Sequence, residues 1–412
     1  MTIYSSDLHA PRQALVSFEQ VDSWFFRESR PHGSVGTNAL SSVFPPPTRT
    51  LMGSLRSLIG HQYFAQNAEN TWSDLDNLPQ LKAVIGNAHH LGSLSPRGVF
   101  IRQNNTNYLP IPSTICHKLI DNVDHYLALQ PTEAAYDTDQ GAIKLLQLPA
   151  TAKDISDTRG FKPIESAWLG KSNWEKLLAG QLAHLSEKDS IKHQTDFMST
   201  EERLGIQVNP HIRGIEEGQL YQTSHIRLES NTEIVMPICY DDSQLNEVLE
   251  PGFIEQSHLV RLGGEARMAS LNFTENVDYL PQAPSNLTVT DNSKKHFIIY
   301  LLTKLKINGE SWVPEGFAYD EHSQEWQGNI LGLDINLMTA CIAKAHREGG
   351  WDQLQHKPRE IVSYLPAGTV FFVSVNTNIN DQLIIDALHG KPFLQKDEWG
   401  EGVMLVGRPI SN

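Results

Sequence analysis

Cysteine is scarce in this chain. Cys116, Cys239 and Cys341 are odd in number and far apart, and none stands at a paired zinc spacing. That excludes a disulfide framework and a structural zinc site, and it makes a reducing cytoplasm the simplest home. No apolar run approaches the roughly 20 residues a bilayer demands, so no transmembrane helix is expected. The opening MTIYSSDLHAPRQ has neither a basic n-region nor an apolar h-region, so no signal peptide is expected. An excess of positive charge is also missing. With 33 Lys and Arg against 48 Asp and Glu, the net charge is −15, which argues against a protein that coats nucleic acid indiscriminately. Catalytic signatures are absent as well: there is no G-x-S-x-G, no H-E-x-x-H and no G-x-G-x-x-G. The 17 histidines are scattered, and the adjacent His89 and His90 point apart in regular structure, so no metal and no cofactor is expected.

What is present suits a globular chain long enough for two sizeable cores, with 412 residues, 40% apolar and 20% charged. Its organising stretch is residues 18–60. Residues 12–20 read as an apolar strand, and residues 24–36 as a turn rich in aromatics, arginine and glycine. Pro45, Pro46 and Pro47 then rule out helix before Thr48. Leu51, Met52, Leu55, Leu58 and Ile59 mark one helical face, with Thr48 or Thr50 available as a cap. Gly53 and Ser54 leave the helix start bare of bulk, where backbone N–H groups can meet a phosphate. Residues 11–60 carry five arginines (12, 27, 30, 49, 56) against three acids, a local reversal of the overall charge. Two readings fit: ordinary solvated arginines on a core helix, or a local grip on an anionic ligand.

Further along, residues 97–111 read as a β-hairpin turning at Asn104–Asn107. Residues 113–160 are weakly patterned, and a helix is expected from about Asn173. Gly170-Lys171-Ser172 is not a phosphate loop, because Glu165 stands where a glycine is needed and no apolar strand is expected before it. Strands are expected over 219–228 and 232–238, with the loop 209–217 ahead of them. Gly263 and Gly264, between two β-type runs in LVRLGGEARMASLNF, permit close backbone approach. Residues 296–307 read as a buried strand and 337–347 as a helix.

The order of these blocks resembles the RAMP-superfamily subunit of type III-B (Cmr) CRISPR effectors that caps the 5′ handle of the guide RNA. The resemblance is carried by FFRESRP and PPPTRTLMGSLR, then Tyr108-Leu109-Pro110-Ile111-Pro112. It continues through Arg203-x-Gly205-Ile206, Gly218-x-Leu220-Tyr221 and His225-x-Arg227 to LGGE-x-R-x-A. Gly349-Gly350-Trp351-Asp352, Pro366-Ala367-Gly368-Thr369-Val370 and the closing Val406-Gly407-Arg408 complete it. Thr369 replaces the family's usual serine, and the glycine loop is shorter than the general RAMP form.

This resemblance implies an α/β (α+β) chain of two ferredoxin-like (RRM-like) domains with inserted loops and β-hairpins. The ranges expected are 1–155 for the first domain, 156–245 for a bridging segment with a thumb-like loop, and 246–412 for the second. It implies a non-catalytic RNA-binding role. The partners would be the guide RNA, the large cyclase-like subunit, the backbone RAMP subunit and other subunits, with target RNA met only indirectly and no membrane. The RNA-binding residues it implies are Arg27, Arg30, Thr48, Arg49, Gly53, Ser54 and Arg56 at the start. His211, Arg213, Tyr221 and Arg227 follow in the middle, and then Arg261, Gly263, Gly264 and Arg267. Two rival readings stay open: a guide-processing RAMP endoribonuclease, with His32 or His211 as an acid or base, and a protein-only scaffold.

Overall fold

A computed structural model describes residues 11–28, 39–139, 141–152, 155–209, 214–291, 294–307, 311–352, 357–394 and 399–410. The side chains of 39, 206–209 and 214–221 are outside that description. The chain forms two compact units, each assembled from three stretches rather than from consecutive ranges. The first comprises Met1–Arg102, Met198–Asp278 and Glu398–Gly400; the second comprises Gln103–Phe197, Tyr279–Asp397 and Glu401–Asn412.

The first unit begins with β1 (Arg12–Gln20). Ala14 to Phe18 are buried without interruption, as in a strand covered on both faces. Helix α1 (Thr48–Gln66) follows the three prolines, and Leu51, Met52, Leu55 and Ile59 are its buried ridge. Its N-cap is Pro47, with no side-chain cap bond, so neither Thr48 nor Thr50 caps it as expected; Thr48 is already its first helical residue. Next come α2 (Pro79–Ile85) and β2 (Phe100–Gln103). Strands β3 (Met198–Asn209) and β4 (Gly214–Leu228) make a long antiparallel hairpin. The expected loop over 209–217 is thereby shortened, because strand resumes at Gly214. Then follow β5 (Thr232–Tyr240), α3 (Asp242–Val248), β6 (His258–Arg261) and β7 (Met268–Glu275).

Within this unit the sheet order is β2-β5-β1-β7-β6, and β1 runs antiparallel to both β5 and β7. Helix α1 lies between β1 and β2 in the chain, and α3 between β5 and β7. That is the β-α-β-β-α-β succession of a ferredoxin-like unit, with β6 added at the edge.

The second unit repeats the strand order. Its strands are β8 (Lys294–Leu301), β9 (Leu333–Cys341), β10 (Val370–Asn376) and β11 (Met404–Gly407), with α4 (Asp381–Leu388) between the last two. They lie side by side as β11-β8-β10-β9, all antiparallel. The first crossover differs. Between β8 and β9 the described residues form strands Ala318–Asp320 and Glu325–Ile330 instead of a helix. Phe297, Ile299, Leu333, Ile335, Phe371, Ile384 and Met404 fill the core.

The helix expected over 337–347 is therefore replaced by the end of β9, through Cys341, and by the start of a further strand, His346–Glu348. Leu333, Ile335, Leu337, Thr339 and Cys341 are buried in strict alternation, and that period of two outweighs the helix propensity of the Leu, Met and Ala residues there. Strand β8 also ends at Leu301, short of the expected 307. In 113–160, read as weakly patterned, lie strands Ile115–Ile120, Val123–Ala128, Gln130–Thr138 and Gly141–Gln147. A buried strand Ala167–Gly170 does precede the helix Lys171–Leu178, contrary to expectation. It runs into that helix with no intervening residue, so there is still no loop to cradle a phosphate. Asn104 and Asn105 have φ of 49° and 61°, as the expected tight turn requires. Among the described residues no helix is long and apolar enough to cross a membrane.

Candidate functional site

The turn after β1 reaches two other segments of the first unit. Trp24 N–H donates to the Ile226 carbonyl at 2.9 Å, and Ile226 N–H returns the bond at 2.8 Å. The Trp24 indole Nε1 donates to the Met268 carbonyl at 3.0 Å. Phe25 stacks on His225, with centroids 5.3 Å apart and planes 18° apart. Its carbonyl accepts the N–H of Gly264 at 2.8 Å. Gly263 has φ +86°, and a Cβ there would lie 2.7 Å from that same carbonyl. Glycine at 263 is thus required both by conformation and by close approach. Glu265 and Ala266 follow with φ of 55° and 54°, and Arg267 N–H closes on the Gly264 carbonyl at 3.3 Å. This is a type I′ turn built without the usual Asn-Gly.

A charged network assembles around this contact. In the hairpin register Glu201 lies opposite His225. Glu201 with Arg203, and His225 with Arg227, are each two apart on a strand, so all four share one face. The two arginines hold Glu201 between them: Arg203 Nε donates to Oε1 at 2.7 Å and Arg227 Nε to Oε2 at 2.8 Å. Both also reach Asp22, at 3.3 Å and 3.2 Å, and Arg267 reaches the same carboxylate at 3.0 Å. Arg267 Nη2 further donates to Glu265 at 3.2 Å.

The electrostatics follow from these contacts. Burial works to raise the Asp22 carboxyl, but bonds from the Ser23 N–H, Arg227 and Arg203 outweigh it and hold it below the ordinary aspartate value. Hydrogen bonds from Arg227 and Arg203 keep Glu201 low, and Glu201 in turn raises both guanidinium groups. Burial pushes His225 down, against the pull of Glu265.

Ser23, His225 and Glu265 stand in the succession of a hydrolytic triad. Ser23 Oγ is 3.0 Å from Nδ1 of His225, and Glu265 Oε2 is 3.1 Å from Nε2, the latter without hydrogen-bond alignment. Ser23 and His225 are both 0% exposed. No electrophile can reach Ser23 Oγ in this conformation, so the group cannot act as a nucleophile–base pair here.

The residues expected at an RNA site fall into two groups. Arg227, Arg267, Gly263 and Gly264 meet in the network, but Gly264 N–H is spent on Phe25 and is not offered to a ligand. The other group lies on α1. Arg49 places its guanidinium 3.8 Å above the Trp399 ring. Gly53 faces open space: among the described residues, no atom lies within 4 Å of where a Cβ would stand. Its N–H, however, lies in the second turn, where the helix itself uses it. Ser54 Oγ donates to the Arg261 carbonyl at 2.7 Å, tying α1 to β6. Arg56 is half-buried and donates to the carbonyls of Ile85, at 2.5 Å, and Asn87, at 2.7 Å, so it closes the C-terminal end of α2; burial pushes its guanidinium down. Ser54 and Arg56 are consequently fastened inside the fold.

Arg27 is exposed and its backbone bridges to Ser42; burial lowers its guanidinium. Arg261 is exposed at the end of β6, and Tyr221 pairs with Gly205 in the hairpin. Arg30, His32, His211 and Arg213 lie outside the described residues. Sequence reasoning missed Asp22, Ser23, Glu201, Arg203 and Glu265 as partners. The Glu-x-Arg and His-x-Arg spacings were visible, but only the hairpin register makes them one face.

Fold and site together define an α/β protein with ferredoxin-like strand order and an arginine–carboxylate network at the base of a long hairpin. A sequence model of the family described as CRISPR-associated protein (Cas_Cmr3) matches residues 17–409, so the chain belongs to the Cas_Cmr3 family. No curated protein matches it. Among solved structures it is similar to a chain of the type III-B Cmr-beta bound to cognate target RNA and AMPPnP (TM-score 0.44, 16% identity, covering 88% of this chain and 86% of that one). The same complex bound to cognate target RNA gives TM-score 0.44 and 15% identity with the same coverage. A chain of the Csm3–Csm4 subcomplex from the type III-A interference complex gives 0.35 and 14%, covering 87% of this chain and 92% of that one.

Proposed function

We propose that this chain is a non-catalytic RNA-binding subunit of a type III-B CRISPR effector. In that role it holds the 5′ repeat-derived handle of the guide RNA and joins the large cyclase-like subunit to the backbone filament. Membership of the Cas_Cmr3 family supports the placement. One observation carries the RNA-binding role: sequence blocks far apart in the chain converge on one cluster, in which Arg203, Arg227 and Arg267 are partly exposed. The Ser23–Phe26 turn, Arg203, the His225–Arg227 pair and the Gly263–Arg267 loop meet there. Arginines fixed by a strand register and a tight turn suit the backbone of single-stranded RNA, whose bases would be splayed and read by neighbouring groups. The net charge of −15 leaves the grip local, so the isolated chain binds RNA weakly and gains affinity with its large partner.

The test is to co-express the chain with its effector partners, purify the assembly and sequence the RNA it carries. Guide RNAs that share a protected 5′ handle are expected. An assembly carrying no RNA, or one whose handle is equally protected without this chain, refutes the reading. Metal-independent cleavage of precursor RNA by the chain, abolished by one histidine substitution, would favour the endoribonuclease alternative instead.

A further inference from the structure

We propose that Asp22 is an internal competitor for RNA phosphate: its carboxylate fills an anion site formed by Arg203, Arg227 and Arg267, and a backbone phosphate replaces it on binding. This rests on the RNA-binding reading above.

The site is assembled from three places in the chain. Arg203 comes from β3, Arg227 from β4 and Arg267 from the turn before β7. Arg227 reaches Oδ1 at 3.2 Å, while Arg203 and Arg267 reach Oδ2 at 3.3 Å and 3.0 Å. Each arginine also has a second carboxylate: Arg203 and Arg227 share Glu201, and Arg267 has Glu265. Asp22 is therefore the shared acceptor on which all three converge. Without its charge, three guanidinium groups would face two carboxylates, a net positive site already held in shape by the hairpin register. Planar guanidinium forks fit phosphate oxygens as they fit a carboxylate, and a phosphate offers more acceptors.

Accessibility singles out Asp22 among the acids. Its side chain is 51% exposed, against 34% for Glu201 and 30% for Glu265. It is the carboxylate a phosphate can displace with least rearrangement, as the short side chain turns outward into water. Until that happens the arginines are screened by their own aspartate, which keeps indiscriminate polyanions off the site.

The experiment uses the full chain, a fluorescein-labelled single-stranded oligoribonucleotide and a salt series. Asp22→Asn keeps the size but removes the charge and replaces one of the two accepting oxygens with an N–H donor, and a thermal melt confirms that the variant folds. Its affinity is expected to rise about two- to fivefold, the scale of one partly exposed ion pair. Its log–log salt slope should stay nearly the same, because the native site also takes up one phosphate once Asp22 is displaced and no phosphate contact is added. Adding Arg227→Ala to Asp22→Asn should remove the gain. Asp386→Asn, which removes an exposed acid on α4, should give none. Unchanged affinity in folded Asp22→Asn overturns the proposal, as does an equal gain in Asp386→Asn, which would be a general charge effect. If the assembled effector carries guide RNA while Asp22→Asn changes nothing, only this proposal fails. If the effector carries none while the Asp22→Asn gain persists and needs Arg227, the phosphate site stands and the functional reading falls.

Discussion

Gly263 and Gly264 are neighbours with different obligations. Gly263 has φ +86°, and a Cβ there would press on the Phe25 carbonyl at 2.7 Å, whereas a Cβ on Gly264 would meet the edge of the Phe25 ring at 3.0 Å. A backbone carbonyl anchored by a hydrogen bond cannot yield, but a ring edge can shift a few tenths of an ångström. Gly263→Ala is thus expected to lose about 1–3 kcal/mol of stability, and Gly264→Ala clearly less, in matched urea melts. Equal losses would contradict this account. Ala266, at φ 54°, carries the opposite expectation: Ala266→Gly should be neutral to stabilising, by up to about 1 kcal/mol, because the left-handed strain is relieved. From the sequence, a Gly-Gly pair announces that a backbone comes close. Which glycine bears the strain, and that the approaching backbone is Phe25 of this chain, depends on a contact more than two hundred residues away along the chain.

Helix α1 shows the same division at the level of an element. Its position, its proline-delimited start and its buried ridge were readable, because amphipathic spacing and proline sterics are local. The roles of its two arginines were not. Arg49 stands over Trp399, while Arg56 is turned inward onto the carbonyls that end α2. Arg56→Ala would strand those two carbonyls and should destabilise the protein by about 1–3 kcal/mol, with no change in the salt slope of RNA binding once folding is accounted for. Arg49→Ala removes a partly exposed stacking contact and should lose under about 1 kcal/mol, yet flatten that slope if α1 faces RNA as the resemblance implies. Melts and salt titrations of the two variants side by side decide the matter, and the reverse pattern would exchange their roles. Strand β9 is the complementary failure. Its alternation was present in LDINLMTAC, but helix-forming residues masked it until pairing with β10 supplied the partner.

For the molecule as a whole, the buried and half-buried histidines set an expectation for pH. Burial is the leading cause that lowers His184, His225, His296 and His389 below the ordinary 6.5. The unfolded chain therefore takes up protons before the folded one as the pH falls through that value. Stability is fully present above it and is lost progressively below. Asp22 and Asp381 are held below the ordinary 3.8, and Glu348 below 4.5; in each case burial opposes and hydrogen bonds or nearby cations prevail. Their contribution survives the first loss and disappears only on further acidification. The melting temperature should fall between about pH 7 and pH 5 and fall again below about pH 4; a flat profile across the first interval would sink the histidine argument. At this scale the amino-acid order by itself determined most strands of the first unit and its first helix, the α/β class and the family, since periodicity, turn chemistry and motif order are written along the chain. Only the tertiary structure decided that each compact unit interleaves separate stretches, that a strand connection replaces a helix in the second unit, and that Arg203, Arg227 and Arg267 are held by carboxylates. Asp22 meets partners 181, 205 and 245 residues away. An ion pair has no sequence periodicity to announce it, so its partner is known only when sheet register and turn geometry bring the two charges together.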